Sequence, residues 1–193
     1  AAGHRVLSVA GDRMAMKVTT KDDLIMASHL IGGQQRTGIG TDTHRFSEAE
    51  TKPLFLGTIE WPGERGLDGH SDGDALSHAI VDALLSAAGL GDIGDAFPDT
   101  DSANKDVDSS IFLQHSMAQI ATLGWHLINV DVIIFAQEPK LGMVKSRIRD
   151  NLARLLSLDG SCVNVKAKTG EKVGFIGRVE AMSCQVVVLL GRS

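Results

Sequence analysis

The spacing of hydrophobic and polar residues changes several times along the chain, and each change predicts an element. Residues 15–20 alternate like a short strand, and Thr20 with Asp23 resembles a capping box that opens a helix. From Arg36 the residues alternate again, which predicts a longer strand, and the run PLFLGTIEW then predicts a hairpin. We therefore expect residues 36–193 to form a domain of their own.

The segment over about residues 74–88 predicts a helix that is apolar on almost every side. Asp74 provides a cap at its start, and Gly89 provides a stop at its end. At roughly 100° per residue, Asp74, His78 and Asp82 form a single polar stripe. We expect this helix to be buried on both sides, with its polar stripe facing an internal polar feature.

The connection over residues 89–108 is longer than ordinary loops, which indicates a functional or disordered segment. Beyond it, helices and strands alternate in mixed order. The pattern predicts helices at 108–123 and 143–156, and strands at 126–137, 162–168 and 181–190. This order predicts an α+β fold in which a small mixed β-sheet is packed with helices on one side.

Composition and charge argue against several classes of protein. The 193 residues carry a net charge of −5, which argues against binding to nucleic-acid phosphates. The apolar runs are too short for a membrane span, and the first residues lack the features of a secretory signal. We therefore expect a cytoplasmic protein, bacterial rather than plastid. Cys162 and Cys184 form no CxxC pair and are predicted to be free.

Asp42 and His44 are the first candidates for chemistry, because side chains two apart on a strand point to the same face. His78 supplies a third candidate ligand if its helix packs over the end of that strand. One carboxylate and two imidazoles suit Zn²⁺ and leave a fourth tetrahedral position open. The alternative is a hydrogen-bonded Asp–His pair and a structural histidine.

Three loops carry further candidates, each with a simpler alternative. The loop GHSDGDALSH precedes a helix N-terminus, which favours a bound phosphate or merely a helix cap with turn glycines. The loop AKTGEKVGFIGR contains Thr169, Glu171 and Arg178, which form either a Mg²⁺ site with a phosphate clamp or a solvated connection. The segment AQEPK forms a pocket for a flat ring or simply ends a strand.

The chain resembles the 2-C-methyl-D-erythritol 2,4-cyclodiphosphate synthases in four segments: GTDTHRF, GLDGHSDGDALSHAIVDALLSAAGLGDIGDAFPDTD, NVDVIIFAQEPK and VNVKAKTGEKVGFIGR. These enzymes belong to the non-mevalonate isoprenoid pathway, and the resemblance covers about residues 36–192. It implies a homotrimer with active sites between adjacent subunits. It also implies a lyase in which the 2-phosphate of 4-diphosphocytidyl-2-C-methyl-D-erythritol 2-phosphate attacks the β-phosphorus of its own CDP group and expels CMP.

The resemblance also implies roles for individual residues. Asp42, His44 and His78 fall on the family's zinc ligands, Glu171 falls on the residue that helps to hold Mg²⁺, and His70 and Thr169 fall on positions assigned to transition-state stabilisation. The implied contacts with the erythritol and its phosphates are Asp42, His44, His70, Ser71, Asp92, Ile93, Gly94, Phe97, Pro98, Asp99, Thr100 and Asp101. Those on the cytidine side are Ala136, Pro139, Lys140, Leu141, Gly142, Ala167, Lys168, Thr169, Glu171, Phe175 and Arg178.

The chain departs from the family at a few of these positions. Lys168 and Gly170 stand where some members carry threonines, and Leu141 and Gly142 follow Lys140 where other side chains are common. These departures leave the chemistry intact and leave the cytidine contacts open.

The first 35 residues resemble, more weakly, the tail of the cytidylyltransferase that is fused to the cyclase in some bacteria. This piece is too short for a nucleotide-binding fold. We therefore expect the chain to be the cyclase part of a bifunctional protein, or a piece cut from one. The rival functions are a metal-dependent phosphohydrolase and a nonenzymatic trimeric scaffold.

Overall fold

The computed structural model describes residue 10 and residues 17–30, 33–49, 51–105 and 107–192. The chain divides between Gly33 and Gln34 into two compact units. The two units are described separately below.

The first unit contains helix α1, Lys21–Leu30. The Asp23 carboxylate accepts a hydrogen bond from the Thr20 backbone N–H at 2.8 Å, and the Thr20 hydroxyl accepts one from the Asp23 N–H at 3.1 Å. The predicted capping box is therefore confirmed. Residues 17–20 form no strand, and residues 15 and 16 of the strand predicted there lie outside the described residues.

The second unit alternates strands and helices. Its strands are β1 (Gln34–Arg45), β2 (Pro53–Leu56), β3 (Ile59–Arg65), β4 (His126–Phe135), β5 (Val163–Lys168) and β6 (Ala181–Arg192). Its helices are α2 (Ala75–Ala88), α3 (Ile93–Ala96), α4 (Ser109–Thr122), α5 (Lys145–Leu155) and α6 (Gly174–Gly177), with 3₁₀ turns at Ser102–Asn104 and Gly160–Cys162. The longest described helices, α2 and α4, have 14 residues, whereas a helix needs roughly 20 apolar residues to span a bilayer.

A four-stranded mixed sheet in the order β1-β6-β4-β5 organises this unit. β6 is antiparallel to both of its neighbours, while β4 and β5 are parallel. β2 and β3 form a separate antiparallel hairpin. The α+β class with a small mixed sheet is confirmed.

The two faces of the sheet differ in burial. Gly40, Val186, Val132 and Val165 follow one another across the four strands, and all are buried on the face that α2 and α5 cover. The opposite row begins with Ile39 and Val187, which are cross-strand neighbours and are 57% and 38% exposed. The helices therefore lie on one side, as predicted.

The boundaries of α2 agree with the sequence prediction. Asp74 caps its first turn, and Gly89 ends it in the left-handed conformation with φ of 75°. α2 also lies very close to β1: a Cβ added at Gly38 or Gly40 would come within 2.0 Å or 2.1 Å of a carbonyl oxygen of α2. These two glycines therefore allow the helix backbone to rest directly on the strand.

The long connection at residues 89–108, expected to be functional or disordered, contains regular structure. Each of its two turns begins at a side-chain cap. At α3 the Asp92 carboxylate accepts from the Asp95 N–H, and at the 3₁₀ turn Ser102–Asn104 the Asp101 carboxylate accepts from the Ala103 N–H, both at 2.9 Å. The glycine-rich loop after β5 likewise contains α6. Short capped turns of this kind carry no hydrophobic period, which is why the pattern does not reveal them.

Candidate metal centre and substrate cavities

Three predicted ligands meet at one point between β1 and α2. The Asp42 Oδ2 atom lies 2.7 Å from His44 Nε2 and 3.0 Å from His78 Nδ1. The two histidine nitrogens are 3.3 Å apart. Asp42 and His44 share the helix-facing side of β1 with Gly40, and the close approach of α2 brings His78 to them.

The outer nitrogen of each imidazole has a protein partner. His44 Nδ1 bonds to the backbone carbonyl of Asp68, and a carbonyl only accepts, so Nδ1 carries a proton and Nε2 is the nitrogen directed at the cluster. His78 Nε2 lies 2.9 Å from the Ser71 hydroxyl oxygen and 3.0 Å from that of Ser109. Both rings are thus held with one nitrogen directed at Asp42.

The charges of the cluster are coupled. Burial disfavours the Asp42 carboxylate, but hydrogen bonds from His44 and His78 outweigh burial and lower the pKa of Asp42 to about 2. Burial likewise opposes ionisation of His44, but the hydrogen bond and charge of Asp42 prevail and raise its pKa above the ordinary 6.5. In the metal-free protein, a proton is therefore shared where the three side chains meet.

The donor set fits a divalent ion. A carboxylate oxygen and two imidazole nitrogens approach within 3.3 Å of one another, and electron-pair donors so close repel unless a proton or a cation lies between them. Imidazole nitrogens at about 2.0–2.1 Å from a tetrahedral ion would be about 3.3–3.4 Å apart. Ligands of this kind suit divalent transition metals.

The cluster opens into a cavity of about 480 Å³, which we call the metal cavity. Most of its lining consists of residues predicted from the sequence: Asp42, His44, His70, Ser71, His78, Ile93, Gly94, Phe97, Pro98 and Asp99. Residues from the β1 strand, α2 and the α3 region therefore face a common space. Asn104 and Phe112 complete it.

A second cavity of about 280 Å³, the β4–β5 pocket, lies where those strands end. Its lining contains the predicted Ala136, Lys140, Leu141, Gly142, Ala167, Lys168 and Thr169, together with Lys145. Through the strand registers, Asp42 and Ala167 occupy the same row on opposite edges of the sheet. Three strand spacings, about 14 Å, separate them within one chain.

Several predicted contacts line neither cavity, namely Asp92, Thr100, Asp101, Pro139, Glu171, Phe175 and Arg178. Arg178 pairs with Glu180 at 2.6 Å, and Glu171 accepts a hydrogen bond from the Thr169 hydroxyl at 2.5 Å.

The N-terminus of α2 is occupied by its own cap. The buried Asp74 carboxylate accepts hydrogen bonds from the N–H groups of Leu76 and Ser77, and also from Gly57 at 2.9 Å. Burial raises the pKa of Asp74 despite these bonds. The simpler expectation, a helix cap, is therefore met at this helix end.

Sequence reasoning missed Asn104, Ser109, Phe112 and Lys145. Ser109 and Phe112 are one turn apart at the start of α4, and Phe112 packs against Phe97 with ring centroids 4.5 Å apart. Helical spacing places this pair on one side of α4. Asn104, which donates to the Pro98 carbonyl at 2.9 Å, has no comparable signal in the sequence.

The fold and the site define an α+β protein with a candidate divalent-metal centre beside a cavity. The YgbB family model matches residues 35–191. A protein of Neisseria gonorrhoeae named 2-C-methyl-D-erythritol 2,4-cyclodiphosphate synthase is 49% identical over 157 residues, which are 81% of this chain and 97% of that protein. The chain belongs to the YgbB family.

Solved structures agree with this assignment. The bifunctional IspDF of Campylobacter jejuni is similar with a TM-score of 0.79 and 40% identity over 99% of this chain, and the chain spans about half, 52%, of its length. The IspF of Plasmodium falciparum, solved as a CDP complex, has a TM-score of 0.72 and 35% identity over 83% of this chain and 98% of that one.

Proposed function

We propose that this chain is a phosphorus–oxygen lyase of non-mevalonate isoprenoid biosynthesis. Its reaction converts 4-diphosphocytidyl-2-C-methyl-D-erythritol 2-phosphate into 2-C-methyl-D-erythritol 2,4-cyclodiphosphate and CMP. One observation carries the proposal. Asp42, His44 and His78 converge beside a cavity, in a chain that is 49% identical to a synthase named for this cyclic product.

The reaction is an intramolecular phosphoryl transfer. An oxygen of the 2-phosphate forms a bond to the β-phosphorus, while the bond from that phosphorus to the bridging oxygen breaks and its electron pair leaves with CMP. No water is consumed, and no protein group needs to accept a proton, because the attacking phosphate is already ionised. Alignment of two groups within one molecule can contribute roughly 7 to 11 kcal/mol.

The proposed ions are Zn²⁺, or another divalent transition metal, held by Asp42, His44 and His78, and Mg²⁺ or Mn²⁺, held with the help of Glu171. Bound divalent ions would supply Lewis-acid stabilisation of the phosphate charge. The side chains alone would not neutralise the phosphate charge, because the metal cavity already contains the Asp42 and Asp99 carboxylates.

The remaining residues bind and align the substrate. His70 and Ser71 line the metal cavity, where a ring nitrogen and a hydroxyl can donate to phosphate oxygens. The half-buried α3 region and Phe97 enclose the erythritol chain. Lys140, Lys168 and Thr169 line the β4–β5 pocket, where we place the cytidine and its phosphate. CDP in the Plasmodium falciparum structure supports a ligand of this class.

We further propose a homotrimer with active sites between subunits. Two observations support it. The sheet face that carries Ile39 and Val187 is exposed on one side of the subunit. The metal cavity and the β4–β5 pocket also lie at opposite edges of the same sheet, so a neighbouring subunit can bring one subunit's pocket to another's metal cavity.

The first unit is proposed to be the end of a cytidylyltransferase domain, and the second unit to be the cyclase domain. The similarity to the bifunctional Campylobacter jejuni protein covers 99% of this chain and so includes residues before Gln34. A bacterial cytoplasmic location also belongs to this proposal, because the Neisseria and Campylobacter relatives are bacterial.

The test is incubation of the metal-loaded protein with the diphosphocytidyl substrate and Mg²⁺, with CMP followed by chromatography. We expect CMP in an amount equal to the cyclic diphosphate. Asp42→Asn should abolish both products because it removes the central ligand, whereas the exposed Asp150→Asn on α5 should leave them unchanged. Inorganic phosphate in place of CMP would favour a phosphohydrolase, and no turnover by the loaded protein would contradict the proposal.

A further inference from the structure

The outer nitrogen of His78 faces two buried hydroxyl groups. Ser71 and Ser109 place their Oγ atoms 2.9 Å and 3.0 Å from His78 Nε2. Ser71 belongs to the loop before α2 and lines the metal cavity, whereas Ser109 is the first residue of α4 and is completely buried. A hydroxyl can donate or accept, so these two contacts alone do not decide which nitrogen of His78 carries the proton.

Asp72 decides the direction of the hydrogen bond at Ser109. One Asp72 oxygen lies 2.5 Å from the Ser109 hydroxyl, and the other accepts from the Ser109 backbone N–H at 2.9 Å. An ionised carboxylate only accepts hydrogen bonds, so the hydroxyl proton of Ser109 points to Asp72. The lone pairs of Ser109 Oγ are then left for a donor, and the neighbour in position to donate is His78 Nε2–H.

We propose that Asp72 and Ser109 are positioning residues that hold His78 in the Nε2–H tautomer and so keep the Nδ1 lone pair directed at the metal. The inference rests on the proposed function, in which His78 is a metal ligand. With Nδ1 bound to an ion, the proton of the neutral ring would lie on Nε2. Ser109, whose own proton is bound to Asp72, is the hydroxyl that is fixed as the acceptor of that proton.

The same arrangement determines the role of Ser71. Since Ser109 accepts from His78, the Ser71 hydroxyl is not required to donate to the imidazole. Its proton is therefore available to a phosphate oxygen in the metal cavity. In His44 the backbone carbonyl of Asp68 accepts from the outer ring nitrogen, so the two histidine rings are oriented by different groups.

The hydrogen bond from His78 Nε2 is measured directly in the full-length, Zn²⁺-loaded protein. NMR of histidine-labelled protein, with assignment by a His78→Gln sample, should show a His78 Nε2–H proton that exchanges slowly with water. Asp72→Asn should speed this exchange, because the Ser109 hydroxyl would no longer be fixed as the acceptor. The absence of a protected Nε2–H proton in the wild type, or equal protection in Asp72→Asn, would overturn the proposal.

Metal affinity gives an independent readout by competition with a chelator. Ser109→Ala and Asp72→Asn should each weaken Zn²⁺ binding roughly 10- to 100-fold, the usual cost of losing a partner of a ligating histidine. Ser110→Ala, the next residue in α4, should bind as the wild type does. Wild-type affinity in both Ser109→Ala and Asp72→Asn would contradict the inference. Failure of the wild type to bind any divalent ion would instead contradict the proposed function.

Discussion

The site is centred on the Asp42 carboxylate, because one of its oxygens contacts both histidines. Its pKa of about 2 keeps it ionised at every pH at which the protein would work. His44 beside it has a raised pKa, so it keeps its proton to a higher pH than an ordinary imidazole. Protons and metal ions therefore compete for the same place between the three side chains.

This competition predicts opposite effects of pH with and without metal. In the metal-free protein, the raised pKa of His44 adds stability that is fully present below about pH 6.5 and is lost as pH rises through the folded-state value. Zn²⁺ must displace that proton, so its affinity rises over the same range. Melting temperatures measured from about pH 6 to about pH 8 should fall without metal and rise at a fixed, limiting Zn²⁺ concentration. Parallel curves would show that metal and proton do not share the cluster.

At the scale of elements, α2 shows what the sequence could and could not predict. Its polar stripe, its cap at Asp74 and its stop at Gly89 follow from local pattern, and so does the shared face of Asp42 and His44. The pattern cannot show that α2 packs against β1, because that contact joins segments about 40 residues apart. The pair Gly38 and Gly40, on the same face as Asp42, was the available signal for the close approach.

Ser109 was not predicted for the same reason. It contacts His78 across 31 residues, and no local periodicity in the sequence indicates such a contact. The resemblance to a family supplied most lining residues of both cavities and their division into an erythritol set and a cytidine set, which the two cavities follow.

Gly40→Ala tests whether the contact between α2 and β1 creates the metal centre. The new Cβ would lie 2.1 Å from the Ala79 carbonyl, next to His78, and would push the helix away. We expect the unfolding free energy to fall by about 1–3 kcal/mol. We also expect the affinity for Zn²⁺ to fall by roughly tenfold or more. Gly160→Ala, where a Cβ meets nothing within 4 Å, is the control for denaturant and metal titrations. Equal behaviour of the two variants would count against this role of Gly40.

At the scale of the whole molecule, the two cavities lie at opposite edges of one sheet, on β1 and on β4–β5. A single substrate that joins a phosphate group to a cytidine must contact the lining of the metal cavity and that of the β4–β5 pocket. The exposed neighbours Ile39 and Val187 lie on the face that no described helix covers. An assembly through this face would bring cavities of different subunits together.

Mixed oligomers test whether two subunits share a site. Asp42→Asn damages only the metal cavity, and Thr169→Ala damages only the β4–β5 pocket, so each variant alone should be nearly inactive. After co-refolding in equal amounts, random pairing should restore roughly a quarter of the sites, and CMP release should reappear at about that fraction of the wild-type rate. Activity that stays absent in mixed oligomers, with assembly verified by sedimentation, would place the whole site within one chain.

The central claim is that a metal-dependent transfer within the substrate, and not hydrolysis, takes place beside Asp42, His44 and His78. Its most direct test is the reaction in ¹⁸O-enriched water, with products analysed by mass spectrometry and ³¹P NMR. We predict a cyclic diphosphate and CMP that both lack the heavy isotope, formed only when the cluster is loaded with a divalent ion. Products that carry ¹⁸O on phosphorus would mean that water is the nucleophile, and would contradict the account.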